Sequence, residues 1–248
     1  MANIRLNPGF RINHDLLDYS YLLHADSSHG GSSSFRLHYD NSSEKFVGNR
    51  FHYDHNGVPD GGTITSYSVN MNGMRAALMT DVAISVSALF QAASTHSTAD
   101  DVALFAKVMS GADSFSGGVG SDRFNTYGGR DRLYGGGGAD WLDGGSGNDT
   151  FVFRSVKDST SRSGDHIMDF AKGDHLDLSA IDADSHRDGN QARKFIGDHG
   201  FTGQAGELRV EHKGGDTHVY ADVDGNGRAD LAIHVDDMFA FSRADFHL

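Results

Sequence analysis

The chain has 248 residues, of which 34 are acidic and 21 are Lys or Arg, so its formal net charge is −13 and nucleic acid is an unfavourable partner. Cysteine is absent, which excludes disulfides, zinc–thiolate sites and a cysteine nucleophile. Glycine is abundant, with 32 residues, and only three of the acidic residues are Glu, so the composition favours tight, acid-lined turns over helices.

The N-terminal region, residues 1–107, has a mixed pattern of strands and helices. Alternating apolar residues predict half-buried strands, and apolar residues at helical spacing predict short helices. The expected elements are a short helix at 15–24, strands within 35–54 and at 63–69, and helices at 82–93 and 99–109. The first residues lack the apolar stretch of a secretory signal peptide, and no run approaches the ~18 apolar residues of a membrane span. We therefore expect that export, if it occurs, uses another route.

The middle region, residues 108–153, carries a repeat of nine residues. Thirteen of the 37 residues in 111–147 are Gly, but a glycine-rich linker would lack a fixed period. Here Asp recurs every ninth residue, and an apolar residue follows each Asp two places later. The pairs are Asp113 and Phe115, Asp122 and Phe124, Asp131 and Leu133, Asp140 and Leu142, and Asp149 and Phe151. Residues 117–125, 135–143 and 144–152 are complete units of the form Gly-Gly-x-Gly-x-Asp-x-apolar-x, and two degenerate units keep the register.

This pattern resembles the calcium-binding nonapeptide of RTX (repeats-in-toxin) proteins. The resemblance implies a parallel β-roll in which two nonapeptides form one coil and calcium ions lie between equivalent turns. Calcium takes six to eight oxygen ligands, and one turn offers about half of them. The Asp pairs that are two nonapeptides apart (113/131, 131/149 and 122/140) therefore predict about three ions in the repeats.

In the family, glycine carbonyls complete these sites, and the repeats fold only outside the cell, where calcium is plentiful. The expected metal-binding residues of the repeats are Asp113, Gly117, Gly118, Val119, Gly120, Asp122, Gly129, Asp131, Gly135, Gly136, Gly137, Gly138, Asp140, Gly144, Gly145, Ser146, Gly147 and Asp149.

The C-terminal region, residues 154–248, resembles the segment that follows the repeats in serralysin-type secreted proteins, most clearly at 164–170 and 173–179. The expected fold is therefore mainly β: a parallel β-roll, then a serralysin-C-terminal-like β region, with a mixed β/α N-terminal cap. Asp158 follows Asp140 by two nonapeptide lengths, and together with Asp165 and Asp169 it would close one or more further calcium sites. Capping turns that hold no ion are the alternative.

A second acidic motif lies at residues 222–230, which match the first, third, fifth, sixth and ninth positions of an EF-hand loop. The twelfth position is Ile233 instead of Glu, so the bidentate ligand is missing. The flanks, 217–223 and 231–235, alternate like strands, so a hairpin turn is favoured, and weak calcium binding is left open.

The last residues, 244–248, resemble the type I secretion signal of serralysin-like proteins. The implied partners are calcium and the type I secretion apparatus, and the implied location is extracellular. No Glu follows a His, so the His-Glu-x-x-His motif of serralysin proteases is absent from this sequence, as are the nucleophile elbow and the phosphate loop. Histidines at 24–38 and 52–55 could hold a transition metal or haem, with solvent-facing His as the alternative.

The leading hypothesis is a secreted, non-enzymatic calcium-binding RTX protein whose β-roll folds on extracellular calcium after type I export. Two alternatives place an activity in residues 1–107: an enzyme acting on extracellular polysaccharide, or a surface adhesin that binds cell-surface polysaccharide. A polar cleft with converging His, Tyr and Asp would favour the enzyme, and an apolar surface would not.

Overall fold

The computed structural model describes residues 1–7, 10, 18–25, 27–95, 97–191 and 193–248. The strands of residues 1–107 are β1 (Asn3–Leu6), β2 (Ser27–Gly31), β3 (Ser34–Tyr39), β4 (Ser42–Tyr53), β5 (Pro59–Met71) and β6 (Met74–Ser85), and the helices are α1 (Val86–Ala93) and α2 (Thr98–Val108). The strands of the repeats are β7 (Ser114–Ser116), β8 (Arg123–Asn125), β9 (Gly128–Gly129), β10 (Arg132–Tyr134), β11 (Trp141–Asp143), β12 (Ser146–Gly147) and β13 (Thr150–Val152). They are followed by β14 (Asp165–Ile167), β15 (His175–Asp177), β16 (Lys194–Phe195), β17 (Glu207–Lys213), β18 (Asp216–Asp222), β19 (Leu231–Val235) and β20 (Phe246–His247).

Successive short strands of the repeats alternate between two sheets, so the chain winds as a roll. The first sheet has the order β2-β3-β4-β5-β6-β1-β7-β10-β13-β15-β20, and the second has the order β16-β17-β18-β19-β14-β11-β8. A two-stranded sheet, β12-β9, joins neighbouring turns. The repeat strands pair in parallel. The mainly β fold expected from the sequence is confirmed.

The pairing register has the expected period of two nonapeptides through the repeats. Arg132 lies opposite Ser114 on one side and Thr150 on the other, and Trp141 lies opposite Arg123. The next coil is longer, because Thr150 lies opposite His175, where the regular period would place Met168. Seven extra residues therefore enter the roll after the last complete repeat.

The interior of the roll is built from one apolar side chain per repeat. The recurring Phe and Leu residues identified in the sequence are at most 1% exposed, and Ile167 and Leu176 continue the series. The rings of Phe115 and Phe124, from opposite sheets, stack with centroids 4.1 Å apart. Three-residue strands bury one side chain each, so the core depends on many coils in register.

The N-terminal strands extend the first sheet of the roll. Strand β1 pairs in parallel with β7 and antiparallel with β6, and β2 to β6 form an antiparallel meander. A second hydrophobic cluster lies between this meander and α1, with Phe35, Phe46, Ile64 and Leu89 at its centre. Because β1 pairs with β7, the backbone N–H and C=O groups at that edge of the roll are covered.

The predicted helices were correct in one case and too long in another. Helix α2 lies within one residue of the expected 99–109. The helix expected at 82–93 begins only at Val86, because residues 82–85 belong to β6, where Ile84 and Ser85 pair with β5. The short helix expected at 15–24 lies partly outside the described residues, and Ser20–His24 forms a 3₁₀ turn.

The C-terminal region adds an antiparallel unit to the second sheet. Strands β17, β18 and β19 pair antiparallel, and β19 pairs in parallel with β14 of the roll. The strands expected on both sides of residues 222–230 are therefore confirmed. Within the described residues, no helix has the length and apolar character that crossing a membrane requires.

Candidate metal centre

The repeat aspartates form a ladder that links each turn to the turn one coil earlier. The Oδ1 atom of Asp131 accepts a hydrogen bond of 2.7 Å from the backbone N–H of Asp113. Asp140 accepts the equivalent bond from Asp122 at 2.7 Å, and Asp149 accepts it from Asp131 at 2.8 Å. All three expected pairs, each two nonapeptides apart, are thus brought together.

The second carboxylate oxygen of three ladder residues has no such bond. The Oδ2 atoms of Asp131, Asp140 and Asp149 are buried and have no hydrogen-bond partner among the described residues. Burial raises the pKa of Asp131 to about 6 and the pKa of Asp140 and of Asp149 to about 7. A buried carboxylate oxygen without a donor is costly, and a cation would compensate for it.

Glycines let the turns approach closely around these oxygens. A Cβ atom at Gly136, where φ is 94°, would collide with the carbonyl oxygen of Gly118 in the turn one coil earlier. A Cβ atom at Gly135 or Gly144 would collide with Oδ2 of Asp140 or Asp149. The oxygen atoms that could bind a metal near each turn therefore belong to carboxylates and backbone carbonyls. Such a set of ligands fits a hard divalent cation such as calcium.

The other expected residues lie along the same turns. Gly117 and Gly118 lie beside Gly135 and Gly136, and the N–H of Gly137 donates to the Gly118 carbonyl at 2.9 Å. Gly129 pairs with Gly147, and Gly128 pairs with Ser146. The remaining members are Val119, whose side chain is exposed, and the partly exposed residues Gly120, Gly138 and Gly145.

The three aspartates expected after the repeats have different positions. Asp165 continues the ladder, because its Oδ1 accepts from the backbone N–H of Asp140 at 3.0 Å. Asp158 does not take this position, since the longer coil moves the equivalent turn seven residues further along the chain. Its Oδ2 instead accepts from the N–H groups of Arg154 and Ser155, at 2.7 and 3.0 Å, and closes its own turn.

Asp169 stabilises the last repeat turn through hydrogen bonds to its backbone. Its carboxylate accepts from the backbone N–H groups of Gly144 and Gly145, at 2.9 and 2.5 Å. Burial raises its pKa to about 6, with the nearby Asp143 carboxylate contributing in the same direction.

The sequence did not lead us to expect Asp174, which extends the series formed by Asp113, Asp131 and Asp149. Its Oδ1 accepts from the backbone N–H of Asp149 at 2.8 Å, and burial raises its pKa. A signal was present: Asp165 and Asp174 are one nonapeptide apart, and Ile167 and Leu176 follow them by two places. The nonapeptide period resumes after the seven-residue insertion.

The acidic loop at 222–230 forms the turn between β18 and β19. Ligand atoms of Asp222, Asp224 and Asp230 lie within 4.8 Å of one another. Both oxygens of Asp222 are already used, since they accept from the N–H groups of Gly225 and Gly227 at 2.7 and 2.8 Å. The loop is thus closed by its own backbone.

Two cavities among those of the N-terminal region differ in character. An apolar cavity of about 220 Å³ lies between the meander and the helices, where it is lined by side chains such as Leu22, Phe46 and Tyr67. An open polar groove of about 480 Å³ lies at the ends of the β3–β4 and β5–β6 hairpins. Its lining includes Arg36, His38, Tyr39, Asp40, Asn70 and Asn72.

Comparison with known proteins places this geometry in a family. The family model described as Peptidase M10 serralysin C terminal matches residues 65–247. The solved structures that are similar to the chain include two subunits from the Azotobacter vinelandii mannuronan C5-epimerase. The AlgE6R3 subunit is 24% identical, with 56% of this chain and 78% of that chain covered and a TM-score of 0.35. The AlgE6R2 subunit is 29% identical, with 54% and 79% covered and a TM-score of 0.38. No curated protein matches the chain.

Domains of this RTX-like type typically bind calcium, and the proteins that carry them are typically secreted. The matched segment contains the repeats, the aspartate ladder and the strands that follow them. The chain therefore belongs to the Peptidase M10 serralysin C-terminal family.

Proposed function

We propose that the chain is a secreted, non-enzymatic calcium-binding RTX protein whose β-roll folds on extracellular calcium after type I export. The observation that carries the proposal is the set of three buried Oδ2 atoms, on Asp131, Asp140 and Asp149, that have no hydrogen-bond partner among the described residues. They lie on the residues that the nonapeptide period selects.

We assign about three ions to the repeats, one at each of these oxygens. The carbonyls of the surrounding glycines would supply further oxygens, whereas the oxygens of Asp113 already accept from the backbone N–H groups of Ala2 and Gly111, and Oδ2 of Asp122 accepts from Gly118. Calcium would place positive charge between the turns and so offset the repulsion between carboxylates that lie close together there. Asp165 extends the ladder beyond Asp140, and Asp174 extends it beyond Asp149. A further ion beyond the repeats would lie beside these two residues.

The ladder couples ion binding to folding. In the absence of calcium, desolvation and neighbouring carboxylates both disfavour the charged form of Asp140 and Asp149. Strands of three residues offset little of this cost, so the calcium-free roll is only marginally stable and the binding free energy of the ions adds to the free energy of folding.

The proposal is tested by calcium titration of the full chain, followed by far-UV circular dichroism and thermal unfolding. We expect β signal and unfolding temperature to rise with calcium, with about three ions bound in the repeats at saturation. The triple variant D131N/D140N/D149N should lose this response. A wild-type chain whose spectrum and stability do not change with excess calcium would overturn the proposal.

The type I signal proposed at residues 244–248 lies within the roll. Phe246 and His247 form β20, which pairs with β15, and Phe246 is buried. The secretion apparatus would therefore have to read these residues before the roll folds, as expected where calcium is scarce. Secretion assays in low-calcium cells test this: deletion of 244–248 should abolish export, whereas F124A, which removes a buried ring of the roll outside the signal, should leave it intact.

The polar groove at the hairpin ends, whose lining includes His38, Tyr39 and Asp40, favours a second candidate function in residues 1–107: binding of cell-surface polysaccharide or an enzymatic action on extracellular polysaccharide. Arg36, His38, Asn70 and Asn72 offer both donors and acceptors there, as sugar hydroxyls require. Sedimentation of the calcium-loaded chain with cell envelopes tests it. Loss of binding in N70A/N72A would support the groove, bound polysaccharide that is cleaved would favour the enzyme instead, and no binding would exclude both.

A further inference from the structure

The outer face of the second sheet carries a row of aromatic and imidazole side chains. Trp141 lies opposite His166, His166 lies opposite His234, and His234 lies opposite His218. These residues belong to four neighbouring strands, β11, β14, β19 and β18, although Trp141 and His234 are far apart in the sequence. The roll and the antiparallel unit together create the row.

The rings of the row are in contact. The centroids of Trp141 and His166 are 5.3 Å apart with nearly parallel planes, and those of His166 and His234 are 4.2 Å apart. The ring of His218 lies 4.5 Å from that of His234 on the other side. Three imidazoles thus converge on a partly exposed surface.

A carboxylate lies between two of the imidazoles. Asp236 Oδ1 is 3.5 Å from His166 Nδ1 and 3.7 Å from His234 Nε2. Ligand atoms of the three residues all lie within 4.8 Å of one another. Tetrahedral zinc with bonds of about 2.0–2.1 Å holds neighbouring donors about 3.4 Å apart. The observed separations therefore leave room for one ion.

We propose that His166, His234 and Asp236 form a surface site for one transition-metal cation of the zinc, copper(II) or nickel(II) class. Two imidazole nitrogens and one carboxylate suit these cations, whereas calcium prefers an all-oxygen set. The site is thus chemically distinct from the oxygen-lined turns of the repeats and does not rest on their proposed function.

Asp216 adds to this site without being one of its three ligands. Its Oδ2 lies 3.0 Å from His234 Nε2 and accepts a hydrogen bond from that nitrogen when it carries a proton. Metal binding requires this nitrogen without a proton, so the hydrogen bond to Asp216 is lost when the ion binds. Asp216 then remains beside the cation as a second negative charge, which favours binding.

The chain contains one tryptophan, Trp141, and its contact with His166 makes it a reporter of the site. The full chain in saturating calcium is titrated with copper(II) while tryptophan fluorescence is recorded. We expect quenching that saturates at one equivalent, with a midpoint that prior addition of excess zinc raises and additional calcium does not. H234A and D236N should each raise the midpoint at least tenfold.

A matched control is available on the other sheet. His175 and His247 also form a stacked cross-strand pair, with centroids 4.7 Å apart, but no third ligand of the described residues joins them. H175A should leave the titration unchanged. Far-UV spectra in calcium establish that each variant is folded, and zinc calorimetry gives a second readout, with one ion bound by the wild type and none at this affinity by H234A. Quenching without saturation, or an unchanged midpoint in folded H234A and D236N, would overturn the proposal.

Discussion

The Oδ1 atom of Asp149 accepts a hydrogen bond of 2.8 Å from the backbone N–H of Asp131, which belongs to the previous coil. Its Oδ2 is buried and has no hydrogen-bond partner among the described residues. One oxygen of this carboxylate therefore sets the register between coils, and the other is left for a cation. The two roles can be separated by a substitution that keeps the shape and removes the charge.

Asp149→Asn should have opposite effects with and without calcium. The amide oxygen can still accept from Asp131, but the anionic ligand is gone, so one ion should be lost. At a calcium concentration 100 times the Kd, one site contributes about 2.7 kcal/mol to the free energy of unfolding. Without calcium at pH 8, the variant should be more stable than the wild type, because it buries no charged carboxylate.

Urea unfolding at both calcium levels, with the bound calcium counted, measures this reversal. Asp198→Asn is the matched control, since its side chain is 83% exposed and lies outside the ladder. Equal destabilisation of the Asp149 variant with and without calcium would show that the residue acts only through its hydrogen bond.

The pH dependence of the calcium-free roll follows from the raised pKa values of the ladder. The pKa of Asp131 is about 6 and that of Asp140 and of Asp149 is about 7, against about 3.9 in the unfolded chain. The folded state therefore binds more protons than the unfolded state between pH 4 and 7, so stability falls as pH rises through that range. We expect the calcium-free chain to retain more β structure at pH 5 than at pH 8, as measured by far-UV circular dichroism.

Calcium binding should show the reverse trend, because the ion must displace these protons. Calorimetry at pH 5 should give weaker calcium binding than at pH 8. At pH 5, calcium binding should also release protons. Calcium affinity that does not change between the two values would contradict the assignment of these carboxylates as ligands.

The two adjacent glycines Gly136 and Gly137 provide a test of the close approach between turns. At Gly136, φ is 94° and a Cβ atom would collide with the Gly118 carbonyl, whereas at Gly137 the nearest atom would be 3.9 Å away. G136A should lower stability in calcium by about 1–3 kcal/mol, and G137A by no more than about 0.5 kcal/mol. Thermal unfolding in saturating calcium measures both, and equal effects would argue against a tight turn stack.

The repeat region could be predicted from the sequence because its period fixes its geometry. Once Asp113 and Asp131 are known to be one coil apart, the pairing of Ser114 with Arg132 follows. The ladder beyond Asp149 could not be predicted in the same way. A longer coil replaces the regular one there, so Asp165 takes the position at which the period alone placed Asp158, and Asp174 accepts from Asp149 seven residues beyond the position that the period predicts.

The features that arise from long-range pairing were less accessible. Val82 has helical spacing with Val86, but pairing of β6 with β5 overrides that local preference. The approach of His166 to His234 depends on which strand of the C-terminal unit joins β14, and no local pattern carries that information.

The stacked pair Phe115 and Phe124 provides the last prediction, which concerns the core and not the ions. Both rings are buried, and their centroids are 4.1 Å apart across the two sheets. F124A removes a ring from a roll that buries one apolar side chain per strand, so we expect a loss of about 3–5 kcal/mol in saturating calcium. The control V119A keeps the backbone carbonyl of an exposed residue in the same repeat and should change stability by no more than about 0.5 kcal/mol. Urea unfolding and calcium stoichiometry distinguish the causes: folded F124A should still bind the wild-type number of ions, and a lower number would mean that the ring also positions the turns.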